Sequence, residues 1–431
     1  KRQDKNCVRN LATSRFFLHK MIELKRKEDC CGCHACQTVC PKKCIEMRAD
    51  EEGFLYPFTR ADECIDCHLC EKVCPIINKN SLPAKERFSE PRVFALRSRD
   101  ENLVQNSSSG GLFTMLAGET IARGGVVFGA RWNADFSAVV HDWTETLEGL
   151  AAFRGSKYLQ SVIGDNFAKA KRFLLAGRQV LFTGTPCQIT GLRRALNRDF
   201  PNLLAVDIAC WKVPSPLVWR EFFNDLKRSF PQEKISDVRH RKKVENKGKF
   251  SCADLSVELA AGTLFQKPLY STTFGKGFGS GLITRPSCSE CPTKNRNSGS
   301  DLTIGDFWGV EKTFPRLNSQ KGISVAIANN ARGLAALEKV FPQCSVVEET
   351  KLENAVPFNG GLRADSLKNP KRAAFFEVFN AAKTTRERVK ILEKFTKTPF
   401  PSRVKNFLFR VLRFSLKTTG TLKLAKKLLG K

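Results

Sequence analysis

No stretch of about 18 apolar residues runs through this 431-residue chain, so nothing in the sequence reads as a membrane-spanning helix. The apolar patch Phe16-Phe17-Leu18 is too short for the core of a secretory signal. Long repeats are missing, and 42% hydrophobic residues in a chain of this size suit a globular protein of two or three domains. Acidic residues are scarce: 43 Asp and Glu stand against 72 Lys and Arg, a formal net charge of +29. That field attracts something anionic, whether nucleic acid, an anionic membrane face, an acidic electron-carrier protein or a phosphorylated cofactor. Basic motifs interleaved with aromatics are absent, which argues against nucleic acid. Without an export signal the expected location is cytoplasmic. The 17 cysteines are therefore poor disulfide candidates, and metal or cluster ligation is their natural use.

Composition divides the chain. Residues 1–27 are a basic N-terminal extension; Met21 opens "MIELKRKEDCCGC", which has the look of a natural start, so the first 20 residues are expected to matter little. Cysteine density is extreme over 28–78, a polar linker covers 79–91, and 92–365 reads as an α/β domain. From 366 to 431 Lys, Arg, Phe and Leu dominate and predict a basic amphipathic helical tail. Within the α/β domain, the sequence predicts helices over 110–123, 165–176 and about 187–196. Strands are predicted at Val126–Ala130, Gln179–Thr183 and Leu203–Ala209, implying parallel strands with right-handed crossovers. The stretch 239–249, "RHRKKVENKGK", reads as a solvated basic loop, or as a receptor for an anionic tail or acidic partner.

The spacing Cys30-x-x-Cys33-x-x-Cys36-x-x-x-Cys40-Pro recurs as Cys64-x-x-Cys67-x-x-Cys70-x-x-x-Cys74-Pro. This is the bacterial ferredoxin run, in which the fourth cysteine ligates the other cluster. It predicts an α+β ferredoxin-like 2[4Fe-4S] module, with Cys30, Cys33, Cys36 and Cys74 on one cubane and Cys64, Cys67, Cys70 and Cys40 on the other. Zinc, the competing ion, usually takes separated pairs rather than four cysteines in eleven residues. His34 and His68 each follow the second cysteine of a run; they read as solvent-facing residues beside a cluster, or as groups that tune its potential with pH. Cys31 and Cys44 fall outside the spacing and read as spare.

Cys187 and Cys210 each sit just past a predicted parallel strand. If those strands are neighbours their carboxyl ends lie about 5 Å apart, at the edge where open α/β sheets place ligands. Cys288-x-x-Cys291 adds two close donors from a loop, completing a four-cysteine set for a third [4Fe-4S] cluster or for zinc.

The segments "CCGCHACQTVCP", "NSSSGGLFTMLA", "GSKYLQS", "VLFTGTPCQITGL", "CWKVPSP" and "CSECPTKNRNSGSDLTIGDFWG", in that order, resemble the coenzyme F-420 hydrogenase/dehydrogenase beta-subunit family across about 28–330. One departure is Trp211-Lys212, where the family more often shows a small or polar pair. The resemblance implies a third cubane on Cys187, Cys210, Cys288 and Cys291, and FAD in the α/β domain. For the FAD pyrophosphate, Ser107, Ser108, Ser109, Gly110 and Gly111 open one helix and Gly184-Thr185 another, and Lys157 offers a positive charge. Gly305–Gly309, "GDFWG", lines the same site or forms a buried turn.

The function so implied is an oxidoreductase that passes electrons between [4Fe-4S] clusters and FAD. It would exchange hydride with a soluble donor or acceptor, either deazaflavin coenzyme or another reducible small molecule, including in a polysaccharide-biosynthesis setting. The alternative is an electron-transfer subunit serving a partner enzyme. Expected partners are an acidic electron carrier or redox subunit and no nucleic acid. In the tail, Ser402 can cap a helix whose Val404, Phe407, Leu408, Val411 and Leu412 share a face, and 401–431 contains no acidic residue. That face fits peripheral contact with an anionic membrane, or packing on the protein's own core or a partner.

Overall fold

The two cysteine runs fold as a repeat. In the computed structural model, which describes residues 22, 24–81, 87–228, 230, 231, 233–246, 249–259, 262–363 and 368–397, the equivalent histidines His34 and His68 are both left-handed, with φ of 64° and 56°. That conformation costs an L-residue about 1–2 kcal/mol. It reverses the backbone directly after the second cysteine, so that the third enters a short helix: α1 (Ala35–Val39) in one run and α2 (Leu69–Lys72) in the other. Between the runs, β1 (Ile45–Ala49) and β2 (Leu55–Thr59) pair antiparallel, Ile45 opposite Thr59. His34 is 3% exposed, held by Gln37 Oε1 at 3.0 Å, whereas His68 faces solvent. The solvent-facing expectation therefore fails for His34, because its run is the one pressed against the rest of the protein.

The α/β domain is built on an eight-stranded sheet in the order β13-β3-β12-β11-β7-β6-β4-β5. Its strands are β3 (Arg92–Ser98), β4 (Val126–Trp132), β5 (Val139–Thr144), β6 (Val180–Gly184), β7 (Leu203–Ile208), β11 (Leu302–Asp306), β12 (Ser324–Ala328) and β13 (Cys344–Thr350). β4, β6, β7 and β11 run parallel, with β6 and β7 adjacent, the condition under which Cys187 and Cys210 come close, while the flanking strands pair antiparallel. The central strands β4, β6 and β7 open on apolar runs, Val126–Phe128, Val180–Phe182 and Leu203–Val206, because both faces are covered. Val126, Phe128, Val180 and Phe182 point to α5 (Asn166–Leu175) and α6 (Pro186–Leu196). Val127 and Leu181 point the other way, to α4 (Leu112–Ala122) and α9 (Ala331–Val340). The period-two alternation of strands thus sorts consecutive residues into two cores. Short helices α3 (Glu101–Gln105) and α10 (Leu352–Ala355) complete this layer.

A second, three-stranded antiparallel sheet joins β8 (Ile235–Asn246), β9 (Lys249–Leu259) and β10 (Gly262–Pro268). The stretch 239–249 is therefore mostly strand and not a solvated loop: His240 and Arg241 within it are 0% and 7% exposed. Basic composition hid this strand because Arg241 is neutralised internally. Helices α7 (Pro216–Lys227) and α8 (Thr273–Gly279) pack with this sheet. So do α11 (Arg372–Ala381) and α12 (Thr385–Thr396), through Phe375, Phe376, Phe379 and Leu392. The first part of the composition-defined tail is thus core. Its predicted amphipathic helix, and the N-terminal extension to residue 21, lie outside the described residues. No helix among the described residues is long and apolar enough to cross a membrane.

Candidate functional site

The parallel strands end at a cavity of about 560 Å³, a volume in the range of cofactor sites. It is lined by Thr183–Thr185 at the end of β6, Ile208–Cys210 at the end of β7 and Ile304–Asp306 at the end of β11. Two helices begin there. α6 opens with a reciprocal cap between Thr185 and Gln188 and with Pro186 in its first turn. α4 opens after Gly111, whose φ of +90° favours glycine. Unpaired amides at helix starts favour anions.

Ser107, Ser108, Ser109, Gly111, Lys157, Gly184 and Thr185 all line this one cavity. Gly110 does not. Its N–H donates to Ser324 Oγ at 2.9 Å, and a Cβ there would stand 2.4 Å from the Leu96 carbonyl. Its smallness therefore lets the serine loop lie close against β3 and β12. The serine loop is fixed from behind by Lys243, whose ammonium donates to the carbonyls of Ser107 (2.8 Å), Ser109 (2.6 Å) and Val104. Arg241 pairs with Asp306 at 2.8 and 3.2 Å; burial opposes its charge, but the carboxylate more than offsets this and raises its pKa. Gly305, Asp306 and Trp308 of the "GDFWG" turn line the cavity.

Burial lowers Lys157 to about 7; among the described residues its Nζ donates to the carbonyls of Arg154 (2.9 Å) and Gly155 (3.2 Å). A bound anion would restore its charge. His141 is pushed down to about 4 by burial and is neutral. Its Nε2 faces the Thr183 carbonyl at 2.7 Å and so carries the proton, leaving Nδ1 to accept from Ser161 Oγ at 2.7 Å. Trp211 and Lys212 also line the cavity, the ammonium 3.7 Å from the indole centroid and bonded to the Gly279 carbonyl.

Cys210 belongs to this lining. Cys187, Cys288 and Cys291 lie close enough for their charges to bear on Cys210, and Cys187 bears likewise on Cys288 and Cys291. Burial pushes Cys288 up to about 11, and Cys210 rises well above the ordinary thiol range for the same reason. Cys31, read as spare, is buried and reaches Cys187.

Within the two N-terminal runs the cysteines lie near one another, and Cys36 also senses Cys70 of the second run. Cys33 senses Cys36 and Cys74, Cys36 senses Cys30 and Cys74, and Cys74 senses Cys30. Cys40, Cys64, Cys67 and Cys70 line one small cavity with Ile22, Ile45 and Leu69. Cys44, also read as spare, has its sulfur 3.4 Å from that of Cys40. Among the described residues no three His, Cys, Asp or Glu side chains surround a point as a single ion would require. Cubane ligands stand differently, each thiolate on its own iron around the cluster, and the all-sulfur donor sets suit that group.

The inner run presses on the α/β domain: Cys33 and Ala35 join Phe167, Ile189 and Leu192 in one core. Sequence reasoning missed what lies between the two cysteine regions, Gln160 and Arg285. The available signal was an arginine three residues before Cys288.

Residues 177–354 match the family described as the C-terminal part of the coenzyme F420 hydrogenase/dehydrogenase beta subunit. The resemblance read from the sequence therefore holds over that segment; the two N-terminal runs lie outside the match. No curated protein matches the chain. Among solved structures, the chain is similar to one in the xenon-derivatised F420-reducing [NiFe] hydrogenase complex from Methanosarcina barkeri. The identity is 17% and the TM-score 0.43, over 72% of this chain and 91% of that one.

Proposed function

We propose that this chain, a relative of the F420 hydrogenase/dehydrogenase beta subunit over residues 177–354, is an iron–sulfur flavoprotein oxidoreductase. The observation that carries the reading is Cys210, which belongs both to a four-cysteine group and to the lining of a cofactor-sized cavity whose other walls hold anion-binding helix starts. When bound, cubanes supply one-electron transfer and FAD supplies two-electron hydride chemistry.

The chain's own residues set the rest. Cys30, Cys33, Cys36 and Cys74 would hold the inner cubane, Cys40, Cys64, Cys67 and Cys70 the outer one, and Cys187, Cys210, Cys288 and Cys291 the third. Ser107–Ser109 and the starts of α4 and α6 would receive the pyrophosphate, with Lys157 recovering its charge beside it. Lys243 and the Arg241–Asp306 pair hold that pocket in shape. Trp308, Tyr270, Phe278 and Trp211 give it aromatic walls. Cys67 and the neighbouring Ile65, 56% exposed, put the outer run at the surface, where a redox partner can reach it. The soluble substrate is a hydride donor or acceptor, deazaflavin or another small molecule; the basic tail adds contact with an anionic membrane face.

Anaerobically purified, reconstituted protein should release FAD on acid denaturation, and its flavin absorbance should bleach when the clusters are reduced by a low-potential ferredoxin. A fully loaded protein with no extractable or covalent flavin, or a flavin that stays oxidised while the clusters reduce, overturns the reading.

A further inference from the structure

Arg285 is 2% exposed, and no carboxylate among the described residues lies within ion-pair distance of it. Its guanidinium donates from Nε to the Cys30 carbonyl (3.0 Å) and from Nη2 to the Leu55 carbonyl (2.9 Å). Nη1 reaches Gln160 Oε1 at 3.4 Å, and Nη2 also approaches Cys30 Sγ at 3.6 Å. The rings of Tyr56 and Phe54 stand 4.6 and 5.4 Å away, offering their faces but no full negative charge. A buried cation held only by neutral groups is expensive unless a counter-charge is near. The acidic groups that bear on it are Cys30, Tyr56 and Cys31 on one side and Cys288 on the other, with Cys187 sensing it in turn; the thiols become a counter-charge as cluster ligands.

Two further details show that space was kept for this side chain. Gly32, with φ of +65°, could carry no Cβ, since that atom would stand 2.8 Å from Arg285 Nη1. Gln160 accepts from Arg285 and donates to the Cys31 carbonyl at 2.7 Å, and its Nε2 lies 4.0 Å from Cys187 Sγ. The arginine and the glutamine therefore occupy the gap between the inner run and the cavity-side cysteines.

We propose that Arg285 is a fixed cation shared by the inner cubane and the cavity-side cluster, raising the potential of the inner cubane so that electrons settle on the side of the module that faces the flavin. The inference rests on Cys30, Cys33, Cys36 and Cys74 holding a cubane. Each electron added to a cluster adds a negative charge, which a neighbouring cation and an N–H···S contact stabilise; net charge and hydrogen bonds to sulfur are the levers that set cluster potentials. The outer cubane, on the far side of the module, should feel little of this.

The test is an EPR-monitored redox titration of the full, anaerobically reconstituted chain, with the inner signal identified as the one lost in Cys33→Ala. Arg285→Gln should weaken the inner cubane's hold on its electron at least tenfold, a fall of about 59 mV for a one-electron couple, with the outer signal unmoved. An unmoved inner potential in Arg285→Gln, or equal shifts of both cubanes, overturns the proposal. If the glutamine variant does not load, Arg285→His supplies a charge that can be switched. Its inner potential should fall relative to the wild type as pH rises through the imidazole range, and a parallel pH profile overturns the proposal as well. Wild-type protein lacking iron in the Cys30 set would instead sink the cubane assignment itself.

Discussion

Gly191 lies on the buried face of α6, where a Cβ would stand 3.0 Å from Cys33 Cβ, 3.1 Å from Cys33 Sγ and 3.4 Å from Phe167 Cε2. Gly191→Ala gains roughly 1 kcal/mol of helix propensity and loses a similar amount as Cys33 gives way, so its net effect on stability should be near zero. Gly191→Leu adds three more carbons to a contact packed at interior density, and overpacking of that kind costs about 1–3 kcal/mol. The strain falls on Cys33, so the inner run should be displaced from α6. Denaturant unfolding of the metal-free protein, monitored by tryptophan fluorescence, should show the leucine variant losing that stability and the alanine variant matching the wild type. Anaerobic stopped-flow reduction of bound flavin should be slowed in the leucine variant alone. If Gly191→Leu unfolds at the wild-type midpoint and transfers electrons at the wild-type rate, the packing of Cys33 on α6 is not what joins the two regions.

Lys157 should make FAD binding pH-dependent. Its pKa is near 7 in the open cavity and is raised by a bound phosphate, so affinity is fully present below about 7 and is lost as pH climbs toward the raised value. Equilibrium dialysis between about pH 6 and 9 should show this loss in the wild type and a flat profile in Lys157→Met. Phe375→Ala, which empties a fully buried site where α11 packs on α12 at Phe395, should cost about 3–5 kcal/mol in thermal or denaturant unfolding. Flotation with anionic liposomes at physiological salt should retain full-length protein and release a version ending at Phe400; equal partitioning would remove the membrane role of the tail.

The cysteine positions, the βαβ unit from β6 to β7 and the helix starts at the cavity were legible because each is a local pattern. A ferredoxin run, an apolar strand followed by a Gly-Thr-Pro turn, and a serine-glycine helix entry all carry their chemistry in consecutive residues. What stayed hidden depends on contacts between distant segments. β8 reads as a charged loop because Arg241 finds Asp306 only after folding. Phe375 and Phe379 read as part of a tail because the surface they fill is built by α7 and α8. Gly110 suggested phosphate contact by its neighbours in sequence, whereas its neighbours in space are Leu96 and Ser324. Arg285 stands three residues before Cys288, but that spacing does not reveal its role, since Cys30, Leu55 and Gln160 approach it from three separate parts of the chain.

Iron and acid-labile sulfide per chain, measured after anaerobic reconstitution, test the central claim most directly. Three cubanes require about twelve of each, falling to about four when residues 1–78 are removed and to about eight in the full chain carrying Cys187→Ala with Cys288→Ala. Zinc in place of iron at the cavity-side set, or no loss of iron in the double variant, would contradict the account.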